Sequence, residues 1–159
     1  MRYGKCRFFM IFLAWMLVMG VYFSYDTPSV IEEAIEEALG ITPRAWSHLY
    51  TIYSAPNVIL PVLGGMYCDK MGIRKGIITF SLIVTFGQTL FFMGGYFKSY
   101  GLMMVGRIFF GFGGESLKVA QYTIIYIWFR GQELNYTMGL TLGISHFGSV
   151  FSSWIVPQI

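Results

Sequence analysis

The chain has 159 residues, of which 55% are hydrophobic and only 12% charged, with 19 glycines and two cysteines. Soluble domains carry roughly 25% Asp, Glu, Lys and Arg, so an ordinary soluble domain is excluded, and so much apolar content also excludes a disordered chain. A net charge of +3 implies nucleic acid only when basic residues cluster on one accessible face; here they flank apolar runs, so the expected partner is a lipid bilayer and not a nucleic acid.

A helix needs roughly 20 mostly apolar residues to cross a hydrocarbon layer about 30 Å thick. The longest such runs are 8–25, 48–67, 76–97, 101–128 and 136–155, and they predict five transmembrane helices. Membrane barrel strands are disfavoured because the runs do not alternate apolar with polar residues. Basic residues set the orientation: Arg2, Lys5, Arg7, Lys70, Arg74, Lys75 and Arg130 fall on one side, against Arg44 and Lys98 on the other, which predicts a cytosolic N-terminus. A signal peptide is the alternative for the first run, but no small-residue cleavage pattern precedes Asp26. Cys6 and Cys68 sit among the basic, cytosolic residues, so no disulfide framework is expected.

The segment 26–47 is expected as a non-cytosolic loop. In it Ile31, Ala34, Ile35, Ala38 and Leu39 recur at helical spacing, with Glu32, Glu33, Glu36 and Glu37 between them, which predicts a short amphipathic helix and a solvated lid. Asp26 or Thr27 is the expected N-cap with Pro28 in the first turn, and Gly40 the C-terminal stop. In the second run Tyr50, Tyr53 and Asn57 recur beside Pro56 and Pro61. Those prolines free backbone carbonyls that need partners or cavity water, and helix packing is an equal reading of the three polar side chains.

Between the second and third runs stands Gly65-Met66-Tyr67-Cys68-Asp69-Lys70-Met71-Gly72-Ile73-Arg74-Lys75. Gly65 permits close helix contact, and Asp69 is placed to meet a cation or the positive end of a helix. Gly65, Asp69, Lys70, Gly72 and Arg74 therefore form a candidate gate, with a plain positive-inside loop as the alternative. The fourth run opens with Gly106-Arg107-Ile108-Phe109-Phe110-Gly111-Phe112-Gly113-Gly114, and Arg107, Gly111 and Glu115 lie at i, i+4 and i+8 with Lys118 three residues on. A charge inside a membrane helix costs at least a few kcal/mol, so it ordinarily faces a cavity or a partner. Glu115 is about 21 Å of helix from the non-cytosolic end and His146 about ten residues into the fifth run, so both are expected near mid-depth, facing a common cavity. The alternatives are an ion pair of Glu115 with Lys118 or Arg107, and a packed, satisfied His146.

These two segments resemble the G-x-x-x-D-[RK]-x-G-[RK]-[RK] and R-x-x-x-G-x-G signatures of the major facilitator superfamily, with a departure at Ile73, where a base is usual. The resemblance implies an all-α membrane protein in which the five helices form most of the N-terminal six-helix half, with the sixth helix and the C-terminal half missing. The runs Tyr53-Ser54-Ala55-Pro56-Asn57-Val58, Gly113-Gly114-Glu115-Ser116-Leu117 and Trp128-Phe129-Arg130-Gly131-Gln132 are similar to a branch of that superfamily that carries dipeptides out of the lysosome. What that narrower resemblance implies is a uniporter of the lysosomal membrane. Glu115 would hold the peptide ammonium, and His146 would stand where the branch has an arginine for the carboxylate. Lys118, where a small residue is usual, is the alternative cation for the carboxylate, or else an internal partner that occupies Glu115. A histidine is cationic below about pH 6.5, so carboxylate recognition would be strongest from an acidic lumen.

Tyr53, Asn57 and Arg107 complete the candidate substrate-binding set, and the branch also implies a glycosylated accessory membrane subunit on the luminal side. Neither an enzyme nor a cofactor is expected: H-E-x-x-H, G-x-S-x-G and the phosphate-cradling G-x-x-x-x-G-K-[ST] do not occur, and there is no credible metal-ligand set. A receptor or scaffold that kept the fold, or a facilitator for another small solute, are the competing functions.

Overall fold

The structure is a computed structural model. It describes residues 4–40, 42–54 and 59–158, and of these not the side chains of 4–7, 34, 38, 39, 43, 45, 49, 50, 52, 53 and 158. Seven α-helices follow one another among the described residues: α1 (Gly4–Val30), α2 (Glu32–Leu39), α3 (Pro43–Ser54), α4 (Leu60–Met71), α5 (Ile73–Tyr96), α6 (Tyr100–Trp128) and α7 (Gln132–Ile155), closed by a 3-10 turn at Val156–Gln158. By length and composition, two stretches of the described helices are apolar enough to cross a membrane, Phe8–Val30 in α1 and the whole of α5.

The chain divides into two compact units, one made of residues 1–30 with 121–159 and the other of residues 31–120. In the first, α1 packs along α7. The buried residues of α7 are Thr137, Thr141, Ser145, Gly148 and Ser152, while Leu140, Leu142, Phe147, Val150, Phe151 and Trp154 are exposed. A water-soluble helix buries its large apolar side chains. This reversed distribution suits a helix that meets lipid on one side and another helix on the other, because small residues let backbones approach. A Cβ on Gly148 would collide with the carbonyl oxygen of Met19, and it would stand 3.0 Å from the Phe23 nitrogen.

The hydroxyls in that contact are satisfied. The Trp15 indole N–H donates to Thr141 Oγ1 at 2.8 Å, and the Thr141 and Ser145 hydroxyls donate to the carbonyls of Thr137 and Thr141, each at 2.7 Å. Thr27 and Ser152 share a further contact at 3.2 Å between their hydroxyls. Below them Ile11, Ile125 and Phe129 form an apolar cluster joined by Trp15, Tyr122, Leu134 and Met138.

The second unit is held by glycines set seven apart. Gly87 and Gly106 meet across α5 and α6, while Gly94 on α5 faces Met103 and Gly113 on α6 faces Val84 and Phe80: a Cβ at Gly87 would lie 2.5 Å from the Phe110 nitrogen, and one at Gly106 would lie 2.6 Å from the Phe91 nitrogen. Backbone lies directly on backbone along this contact. At one end Trp46, Phe91 and Met103 make an apolar cluster with Ile35, Tyr100 and Met104 against it. Helix α4 joins α5 through Tyr67, whose ring packs on Phe80 at 5.4 Å and whose hydroxyl is 3.2 Å from Thr79 Oγ1.

The expected start of the amphipathic helix is corrected. Asp26, Thr27 and Pro28 lie inside α1, which continues to Val30, and α2 begins at Glu32 behind Ile31 with no side-chain cap. Thr27 instead donates to the Phe23 carbonyl at 2.7 Å, and Ser29 donates to the Asp26 carbonyl at 2.6 Å. Pro28 sits in the closing turn of α1, so only two helical residues follow it and the one helical donor it removes is the one to the Ser24 carbonyl. The expected stop at Gly40 stands: its φ of 63° is the left-handed conformation that glycine adopts without strain.

Candidate functional site

The acid-and-base segment after α4 owes its shape to Gly72. That residue, with φ 86° and ψ 148°, separates α4 from α5, and its N–H closes α4 on the Cys68 carbonyl at 2.9 Å. Asp69, Lys70, Arg74 and Lys75 all project into exposed positions around this turn, so four charges are presented within one short connection. Gly65, expected to permit the close helix contact, makes only an ordinary one, a Cβ there lying 3.8 Å from Val119. The tight position is its neighbour Gly64, where a Cβ would come within 2.7 Å of both Cβ and Oγ of Ser116. Sequence reasoning passed over Gly64. Its signal was the Gly64-Gly65 doublet, but which glycine faces α6 depends on a helix rotation that two adjacent residues cannot specify.

Cys68, just past the second apolar run, is a free, buried thiol. Burial, and then the neighbouring Asp69 carboxylate, push its pKa up, so it is a poor nucleophile at neutral pH. Its sulfur faces Gly76, where a Cβ would lie 2.6 Å away.

Within α6, Arg107 is 2% exposed, and its guanidinium stands over the rings of Phe91 at 4.8 Å and Phe110 at 5.7 Å. Those are the residues whose backbones meet across the glycine contact, so Arg107 is embedded in that contact with its charge against two π-faces. Two turns further on, the Lys118 ammonium donates to Glu115 Oε1 at 2.7 Å, an i, i+3 ion pair in which the two side chains remain 24% and 19% exposed. The expected alternative of a Glu115–Lys118 pair is therefore what the chain adopts, and the pair stays open to the surroundings. Ser116 and Leu117, between them in sequence, are buried, which leaves the pair on the accessible side of α6.

His146 belongs to the other unit. It is exposed on α7, its ring edge-to-face with Tyr22 of α1 at 5.5 Å, beside the buried Ser145. The remaining candidates, Asn57 and the side chain of Tyr53, lie outside the described residues.

A model of the Major Facilitator Superfamily matches residues 8–159. The chain belongs to that superfamily. It is 42% identical over 158 residues to the lysosomal dipeptide transporter MFSD1 of Mus musculus and 39% identical to that of Homo sapiens, in both cases across 96% of this chain and 34% of the relative. A probable sulfoacetate transporter of Cupriavidus necator is 26% identical across 82% of this chain and 30% of its own length. The chain spans about a third of the length of the curated relatives it matches, the N-terminal part. Membership makes sense of the reversed burial on α7 and the glycine contact of α5 and α6, because helices of a membrane transporter associate through small residues rather than by hiding oily ones from water.

Proposed function

We propose that the complete carrier moves dipeptides from the lysosome lumen to the cytosol as a uniporter, by alternating access between two six-helix halves of which this chain supplies five spans. The observation that carries the reading is the partly exposed Glu115 carboxylate in the interior of the 29-residue α6, within a chain 39–42% identical to carriers named for dipeptides. Elsewhere in such a helix a carboxylate costs at least a few kcal/mol, so keeping one on the accessible side has a use, and a substrate ammonium is the group that would repay it. His146 is the residue we assign to the peptide carboxylate. Asp69, Lys70 and Arg74, on the Gly72 turn, act as the cytosolic gate, and Gly65 lies in the helix before it. Tyr53, Asn57 and Arg107 are assigned to the same transport path, Arg107 by bracing α6 rather than by touching substrate. The reading also places the N-terminus in the cytosol and leaves the Glu-rich α2 as the luminal surface for an accessory subunit.

The test is uptake of a labelled dipeptide into vesicles that contain the complete carrier. Glu115→Gln should reduce uptake to background while the protein stays folded, and wild-type uptake by that variant would refute the assignment. One observation favours a second reading: the Glu115 carboxylate is already paired with Lys118, a cation that an anion could use, and one relative is named as a probable sulfoacetate transporter. Sulfoacetate uptake that is lost in Lys118→Met and spared in Glu115→Gln would select it.

A further inference from the structure

From Gly113 to Ala120, α6 buries residues 113, 114, 116, 117 and 120 and leaves only Glu115, Lys118 and Val119 partly exposed. The open strip of this stretch thus consists of the ion pair and Val119. Lys118 presents a primary ammonium, three donors on a compact charge, to Glu115 Oε1 at 2.7 Å. The N-terminus of a peptide is the same chemical group. A carboxylate that accepts a second ammonium while the first remains in place brings two like charges together, which opposes binding. The lysine stem has four carbons and rotates freely, so its ammonium can leave Glu115 without any movement of the α6 backbone.

We infer that Lys118 is an internal competitor for Glu115: it neutralises the carboxylate while the site is empty, and the ammonium of the incoming ligand displaces it. The inference rests on the reading of Glu115 as the ammonium site. It makes Lys118 a positioning residue that sets affinity and selectivity. A ligand without a cation cannot displace the lysine, and every ligand with one binds against that competition. If Lys118 holds the carboxylate about nine-tenths of the time, the apparent affinity for an amine is about tenfold below that of the released site.

The experiment uses the complete carrier and two readouts. In detergent, labelling of Glu115 by dicyclohexylcarbodiimide is compared between wild type, Lys118→Met and Lys118→Arg. In vesicles, the half-saturating concentration is measured for alanyl-alanine and for its N-acetylated form. Lys118→Met should raise Glu115 labelling several-fold and lower the alanyl-alanine concentration roughly tenfold, with no effect on the N-acetylated form, and Lys118→Arg should restore wild-type values. Where Lys118→Met does not yield folded protein, Lys118→Gln, which keeps a donor and drops the charge, serves in its place. Unchanged labelling, or weaker alanyl-alanine binding in the uncharged variants, would overturn the inference. The dipeptide reading fails separately, when Glu115→Gln leaves uptake intact, because the labelling arm requires no substrate.

Discussion

Two helix contacts in this chain solve the same problem by different means. Across α5 and α6, in residues 31–120, four glycines remove side chains altogether, so that backbone nitrogens and carbonyls face the space where a Cβ would stand. Across α1 and α7, in the other unit, the contact uses one such glycine, Gly148, and otherwise Ser and Thr hydroxyls, one of which accepts from Trp15. The difference teaches what each contact can absorb. A backbone cannot rotate out of the way, whereas a hydroxyl or a thiol can turn about χ1, so the two kinds of contact should answer very differently to the addition or loss of a single group.

The largest effect is expected at Gly106. The Cβ of Gly106→Ala would lie 2.6 Å from the Phe91 nitrogen and 2.8 Å from the Gly87 carbonyl oxygen. Overpacking of this kind costs about 1–3 kcal/mol, sometimes more, which exceeds the 0.5–1 kcal/mol or so that alanine gains over glycine in a helix. Thermal unfolding of the complete carrier should show a clear fall in Tm.

A smaller loss is expected for Thr141→Val, which keeps shape but removes the acceptor for the Trp15 indole N–H. Hydrogen bonds between membrane helices average about 0.6 kcal/mol and reach about 1.7, so its shift in Tm should fall below that of Gly106→Ala; a larger shift would mean that the hydroxyl contact is the less forgiving of the two.

Gly76→Ala sharpens the contrast further. Its Cβ would also lie 2.6 Å from a neighbour, but that neighbour is the Cys68 sulfur, the end of a rotatable side chain. The helix gain of about 0.5–1 kcal/mol should then offset most of the crowding and leave Tm nearly unchanged. If Gly76→Ala and Gly106→Ala prove equally damaging, the distinction between backbone and side-chain neighbours is lost. The smallest effect is a rate: maleimide should label Cys68 slowly at pH 7 and faster as pH rises. Burial and Asp69 raise the thiol pKa, the thiolate is the reactive form, and deprotonation is therefore deferred to higher pH.

The candidate site was legible in part, and the reason differs from residue to residue. Glu115 and Lys118 could be paired from their spacing alone, since i and i+3 share a helix face, and the pair was one of two outcomes that spacing allowed. Arg107 was expected to face a cavity or a partner, a choice the helical stripe it shares with Glu115 leaves open, and its guanidinium lies against Phe91 and Phe110. A stripe gives a direction, and only the neighbouring helix decides whether that direction is open. The same holds for the choice between Gly64 and Gly65.

What the sequence determined by itself is the helical class, the superfamily signatures around Asp69 and Arg107, the short acidic helix and its stop at Gly40. These depend on composition, period and single-residue backbone preference, all of which are local. The tertiary structure alone decided that α1 runs through Pro28, that glycines seven apart on α5 and α6 each meet backbone of the other helix, and that Leu140, Phe147, Val150 and Trp154 of α7 stay outside while its Thr137, Thr141, Ser145 and Ser152 go in. Those outcomes depend on which surface a second helix covers, and a lipid-facing leucine and a buried one read the same along a chain.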